Sequence, residues 1–207
     1  MAHVLWIGGA TDSGKSTIAQ NLGERYGMHV YHYDSSDAEH LKKLAESDLE
    51  TRQFLDASLD ERWIHPDPDA LFAFLLHSFP LRFPLLIEDI LTLSVDIPVI
   101  VEGFGLLPEL VLPIISNLHQ AVWLVPTDTF KWESMARRGK PSYAKKTSDP
   151  KEAKMNLFAR DMILAKYYRK RVPTYGFTLF EVDGSSSIEE MTNLVDKHFA
   201  KHLDSLR

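Results

Sequence analysis

Gly9, Gly14, Lys15 and Ser16 stand in the spacing Gly-x-x-x-x-Gly-Lys-Ser, a pattern whose chemistry is the holding of phosphate. Gly9 and Gly14 admit backbone conformations closed to other residues. Successive N–H groups through Asp12, Ser13 and Thr17 can therefore point into one concavity. A helix starting near Lys15 would add its positive dipole end. Lys15 would then serve as a mobile charge for β/γ-phosphates, and the Ser16 hydroxyl as a Mg²⁺ ligand. A nucleoside triphosphate is the expected ligand.

Two carboxylates fall where such a loop would need them. Asp34 follows an apolar-aromatic run in Tyr31-His32-Tyr33-Asp34, where it can take a proton from an attacking hydroxyl or hold Mg²⁺ through water. Glu102 ends the β-branched run Val99-Ile100-Val101, placing an acid to anchor Mg²⁺ or its water beside Ser16, and Gly103 allows close backbone approach. Asp37 is read as a charge suited to a first helical turn.

Phosphoryl transfer also needs positive charge around the moving group and an element that closes over it. The polar segment 139–150, with Arg137, Arg138, Lys140, Lys145 and Lys146 in or beside it, suits a lid, and Arg160 follows in the next helix. Arg138 and Arg160 are the preferred pair. Gly184, in Asp183-Gly184-Ser185, marks either a rest for a purine ring or an ordinary turn. Arg52, Arg62, Trp63 and His65 read better as packing or surface pairs than as ligand contacts. His198-x-x-x-His202 lacks a third metal ligand.

These residues require a frame of alternating strands and helices. Val4-Leu5-Trp6-Ile7 reads as a buried strand, followed by a helix over Lys15–Tyr26 that Gly27 stops. A second strand covers Met28–Tyr33, and Ser36-x-x-Glu39 reads as a capping box for the next helix. The region 50–95 looks wholly helical, with Asp67-Pro68 as a start and Pro80 and Pro84 dividing it. Further strands are expected at 98–102, 120–125 and 177–182. Helices are expected from Pro108 to about Leu118 and over 128–138, 151–170 and 188–203. Such alternation implies a parallel sheet with helices on both faces.

The chain has 207 residues, 44% of them hydrophobic and 25% charged, which suits one α/β domain with its own core. A net charge of −6 counts against a dedicated nucleic-acid binder. With no cysteine, thiolate catalysis and disulfides are excluded. The apolar stretch 70–95 carries Arg82, Glu88, Asp89 and two prolines and is not read as a membrane span, so a cytoplasmic location is expected.

With the loop Gly9–Ser16, Asp34, Glu102-Gly103 and an Arg-bearing lid, the chain resembles the P-loop kinases. The branch it is similar to holds adenylate, shikimate and gluconate kinases and chloramphenicol phosphotransferase. The likeness spans nearly the whole chain, although only the loop is a sharp motif. It implies a three-layer α/β/α fold with a five-stranded parallel sheet ordered 2-3-1-4-5. An acceptor-binding insertion after strand two, about 35–96, and a lid after strand four are also implied, with ATP and Mg²⁺ as donor. By position, Lys15 would bind β/γ-phosphate, Asp34 would be the base, and Arg138 or Arg160 the lid arginine. The dense Arg-x-x-x-Arg lid of nucleoside monophosphate kinases is missing, and the insertion is longer and more apolar than in shikimate kinase. The expected activity is therefore transfer of the γ-phosphate to a small-molecule hydroxyl or phosphate acceptor of unassigned identity. A nucleotide-hydrolysing switch and a kinase of nucleic-acid ends are the alternatives.

Overall fold

The computed structural model describes residues 1–138 and 143–203, the side chains of residues 138 and 143 excepted. Strands β1 (Val4–Gly9), β2 (His29–His32), β3 (Val99–Glu102), β4 (Ala121–Pro126) and β5 (Thr178–Val182) form one sheet in the order β2-β3-β1-β4-β5. Every pairing is parallel. The order and the parallel sense are those expected.

Side-chain alternation along the strands divides the core in two. Val4, Trp6, Val99, Val101, Trp123 and Val125 face α5 (Pro68–Leu91) and α8 (Pro150–Thr174). Leu5, Ile7, Ile100, Val122 and Leu124 face α1 (Lys15–Tyr26) and α9 (Ile188–Leu203). Because both faces are covered, β1, β3 and β4 are buried throughout, which explains their unbroken apolar runs.

The insertion is built from α2 (Tyr33–Leu44), α3 (Leu49–Asp56), α4 (Leu59–Trp63) and α5. Asp67 caps α5 by accepting the Ala70 amide, with Pro68 in the first turn. Pro80 and Pro84 do not divide this helix, contrary to expectation. Both lie on its exposed side, four residues apart, so the carbonyls they leave without an N–H partner face toward solvent. The opposite stripe, including Leu71, Leu75, Phe79, Phe83, Leu86 and Ile90, is buried and offsets the cost. By length and composition α5 could cross a membrane; here its buried stripe packs into the core of the sheet.

Two further expectations are corrected. Ser36 and Glu39 form no capping box, because α2 starts earlier, at Tyr33, with His32 at its cap. Asp34 therefore sits in the first helical turn rather than in a loop. The helix begun by Pro108 is a single turn, α6 (Pro108–Val111), followed by short 3₁₀ turns at 112–114 and 118–120. Pro113 accounts for the early stop, since it carries no N–H to continue the α-helical ladder. Helix α7 (Asp128–Arg138) completes the set.

Candidate active site

The phosphate loop joins β1 to α1. Gly9 has φ 126° at the end of β1, and a Cβ there would meet the Leu124 carbonyl oxygen at 2.0 Å, so only glycine permits this approach to β4. Gly14, at φ 83°, caps α1 without any side-chain hydrogen bond, and the first turn of the helix holds no acidic residue. Among the described residues no side chain caps α1, so its N-terminal amides could receive an anion. Ser16 and Thr17 lie exposed in that turn. The Ser13 hydroxyl donates to the Ala10 carbonyl at 2.9 Å, and Asp12 adopts a left-handed φ of 65°.

Lys15 is buried, and its ammonium donates to the Ala10 carbonyl at 3.0 Å. Burial pulls its pKa down, the nearby Lys131 pulls the same way, and Asp34, Glu102 and Asp12 oppose them. The ammonium is therefore poorly solvated and surrounded by acids, a state that a phosphate could improve.

Asp34 opens onto a cavity of about 970 Å³ between the insertion and helices α7 and α8. Its Oδ1 accepts the Phe104 amide at 3.2 Å. Asp34 is an exposed residue whose carboxyl meets the water of the cavity, with protein crowding it from behind. That desolvation, with a contribution from Glu102, raises its pKa to about 6 against the pull of Lys15 and the Phe104 amide. Gly103 makes the arrangement possible, because a Cβ there would lie 2.8 Å from Tyr33 Cβ and 3.1 Å from Asp34 Oδ1.

Glu102 is buried at the end of β3, and its Oε1 lies 2.7 Å from His32 Nδ1 on the neighbouring strand. Its second oxygen, Oε2, is buried and has no hydrogen-bond partner among the described residues. Such an oxygen, charge-coupled to Lys15 of the loop, fits the acid that would fix a metal-bound water. Among the described residues no group of three metal-ligating side chains exists. A Mg²⁺ held mainly by phosphate, hydroxyl and water does not require one.

Three contributors have no clear mark in the sequence. Lys131 of α7 is buried, with its ammonium 2.5 Å from Thr11 Oγ1, 3.3 Å from Asp12 Oδ2 and 3.4 Å from Asp161 Oδ2. Asp161 of α8 also accepts the Thr11 hydroxyl at 2.6 Å and both Nε and Nη2 of Arg160. Burial opposes ionisation of Asp161, but Arg160 and Lys131 outweigh it and hold its pKa below the usual value. The loop residues Thr11 and Asp12 therefore tie the phosphate loop to two helices and line the cavity, although the sequence assigns them only to loop backbone. The third contributor is Arg82, buried in α5 and paired with Asp37 of α2. Its one signal in the sequence is a charge standing in the mostly apolar stripe of that helix.

The other expected residues divide. Arg160 lines the cavity. The side chain of Arg138 lies outside the described residues, as do positions 139–142 of the proposed lid. Gly184 turns with φ 86° against Phe130, where a Cβ would come within 2.7 Å of the ring, and it does not line the cavity. Arg52 and Arg62 cap helix ends by donating to backbone carbonyls, although Arg62 also lines the cavity with Trp63. His198 and His202 contact the Ala121 and Ala2 carbonyls and are packing residues.

No protein-family model and no curated protein matches the sequence. Solved structures do. A gluconokinase from Sinorhizobium meliloti 1021 is similar over 98% of this chain and 94% of its own, at 15% identity and a TM-score of 0.50. A deoxyadenosine kinase from M. mycoides is similar over 96% and 99%, at 12% identity and TM-score 0.49. A shikimate kinase from Aquifex aeolicus vf5 is similar over 97% and 98%, at 17% identity and TM-score 0.41. The chain shares the fold of that gluconokinase, a five-stranded parallel sheet ordered β2-β3-β1-β4-β5 with helices on both faces.

Proposed function

We propose that this protein is an ATP-dependent phosphotransferase that moves the γ-phosphate to a hydroxyl of a small molecule held in the cavity beside Asp34. The observation that carries this reading is the position of Asp34. A carboxyl with its pKa raised to about 6 opens onto a large cavity and is charge-coupled to Lys15 of the phosphate loop. A hydrolase needs only water at that place and has no use for a cavity of this size.

In the proposed reaction the amides of the loop and the start of α1 bind the donor phosphates, and Lys15 moves from the Ala10 carbonyl to the β/γ-phosphates. The acceptor oxygen attacks the γ-phosphorus as Asp34 takes its proton, and the bond from that phosphorus to the β–γ bridging oxygen breaks to release ADP. Arg160, beside the cavity and held to Asp161 through Nε and Nη2, would turn its remaining N–H groups to the transferring group. Ser16 and Glu102 would hold Mg²⁺, which when bound neutralises charge on the donor phosphates. The Phe104 amide orients Asp34, and His32 orients Glu102.

Transfer of labelled γ-phosphate across a panel of alcohols, sugars, nucleosides and phosphorylated acceptors tests the proposal. Acceptor-dependent turnover that is lost in Asp34→Asn and Lys15→Ala is expected. ATP hydrolysis that no acceptor stimulates and that Asp34→Asn leaves unchanged would refute it.

A further inference from the structure

We infer that the cavity takes an uncharged alcohol with a planar, largely apolar body, its hydroxyl toward Asp34 and its body among the aromatic rings of the insertion. This inference rests on the phosphotransferase reading and specifies its acceptor.

The wall away from the phosphate loop is aromatic. Phe54 and Phe74 stack with ring centroids 4.1 Å apart and an interplanar angle of 19°, and Trp63 meets Phe54 edge-on at 5.4 Å. All three rings line the cavity, as does Phe104 near Asp34. Flat apolar matter gains most from such a wall, through area burial and ring contact. A volume of about 970 Å³ lies at the upper end for drug-sized ligands and greatly exceeds the needs of a small hydroxy acid.

The cations lining the cavity speak against an anionic acceptor. Recognition of a carboxylate or phosphate favours a guanidinium fork free to bind it. Arg62 donates to the Ala57 and Leu55 carbonyls, Arg82 to Asp37, and Arg160 to Asp161. Lys131 lies against Asp12 and Asp161, while Lys42 and Lys154 are exposed and would hold an anion only in water. Each arginine described in the lining thus already holds a carboxylate or backbone carbonyl of the protein and presents no free two-pronged fork, although Arg82 keeps a buried Nε without a partner among the described residues. Asp37, partly open while Arg82 is buried behind it, offers an acceptor to a neutral polar edge on the planar body.

Calorimetric titration with biphenylmethanol, the same alcohol bearing a carboxylate on its distal ring, and sorbitol, with and without a non-hydrolysable ATP analogue, tests the inference. The neutral ring alcohol is expected to bind at least tenfold more tightly than either competitor. Phe74→Ala is expected to weaken it about tenfold, with Phe74→Leu intermediate as a control for folding. Equal or tighter binding of the carboxylate or of sorbitol overturns the inference, as does the absence of binding by any ring alcohol. Labelled-phosphate transfer run in parallel separates the two readings. Tight binding of the ring alcohol without transfer to any acceptor overturns only the kinase reading, whereas transfer to an anionic acceptor alone overturns only this inference.

Discussion

Glu102 engages His32 Nδ1 through Oε1 at 2.7 Å and keeps Oε2 buried without a hydrogen-bond partner among the described residues. Parallel pairing of β2 with β3 sets this relationship, because the register places His32 beside Glu102. One oxygen is thereby taken up by His32, and the other would be available to the proposed metal.

Glu102→Gln should therefore raise the Mg²⁺ concentration needed for half-maximal turnover by about tenfold or more, and His32→Ala by a smaller factor, on the order of tenfold at most. Mn²⁺ binding followed by electron paramagnetic resonance in the presence of ATP provides a readout separate from activity. Unchanged Mn²⁺ affinity in Glu102→Gln would remove Glu102 from the metal site.

Asp34 makes a prediction in two parts. As the base it must be ionised, so turnover should fall as pH drops through about 6, and Asp34→Asn should lower kcat by roughly 10²-fold or more with ATP affinity retained. The stability effect has the opposite sense. A folded-state pKa of about 6, above the ordinary 3.8, means the folded protein holds this proton more tightly, so the contribution favours folding in acid and fades as pH rises from about 4 to 6. At pH 7.5 Asp34→Asn should thus be more stable by about 1 kcal/mol, a figure discounted because the carboxyl meets water in the cavity, or roughly 2–4 °C in Tm. A variant that melts earlier than the parent at that pH would contradict this account.

Lys131→Met should lower stability by about 2 kcal/mol, since it leaves Asp12 and Asp161 without their shared ammonium while Arg160 still neutralises part of the charge. Denaturant unfolding measures the loss. If the residue serves only packing, Lys131→Met should leave stability unchanged, because its methylene stem is preserved.

Gly103→Ala places a methyl group 2.8 Å from Tyr33 Cβ and 3.1 Å from Asp34 Oδ1. Tyr33 is buried and Gly103 is anchored by its amide to the Ile7 carbonyl, so the strain cannot be relieved by a flexible side-chain end. A cost of about 1–3 kcal/mol is expected, together with a fall in kcat larger than any change in ATP affinity. Equal losses in kcat and nucleotide binding would mean that the distortion reaches the phosphate loop instead.

Much of the frame could be read from local chain chemistry. The glycine spacing, the apolar runs and the capping by Asp67 are decided by neighbours in sequence, as are the starts of α7 and α9. Pro80 and Pro84 misled because breaking a helix also depends on which face the prolines occupy, and that is a tertiary fact. The same holds at Asp34. A local cap signal at Ser36 gave way to strand pairing and to packing of Tyr33 in the core, which start the helix earlier.

Loop, strands and carboxylates thus follow from short-range rules: φ preference, side-chain period and turn chemistry, each acting over a few residues. The cavity does not. Arg82 reaches Asp37 across 45 positions, Lys131 reaches Asp161 across 30, and Thr11 reaches Asp161 across 150. Whether a charge is spent on the protein or left for a ligand is settled by which helices pack together, and no local pattern records that. The glycine loop was therefore open to reading along the chain, whereas the character of the cavity beside it emerges only where α2, α5, α7 and α8 meet.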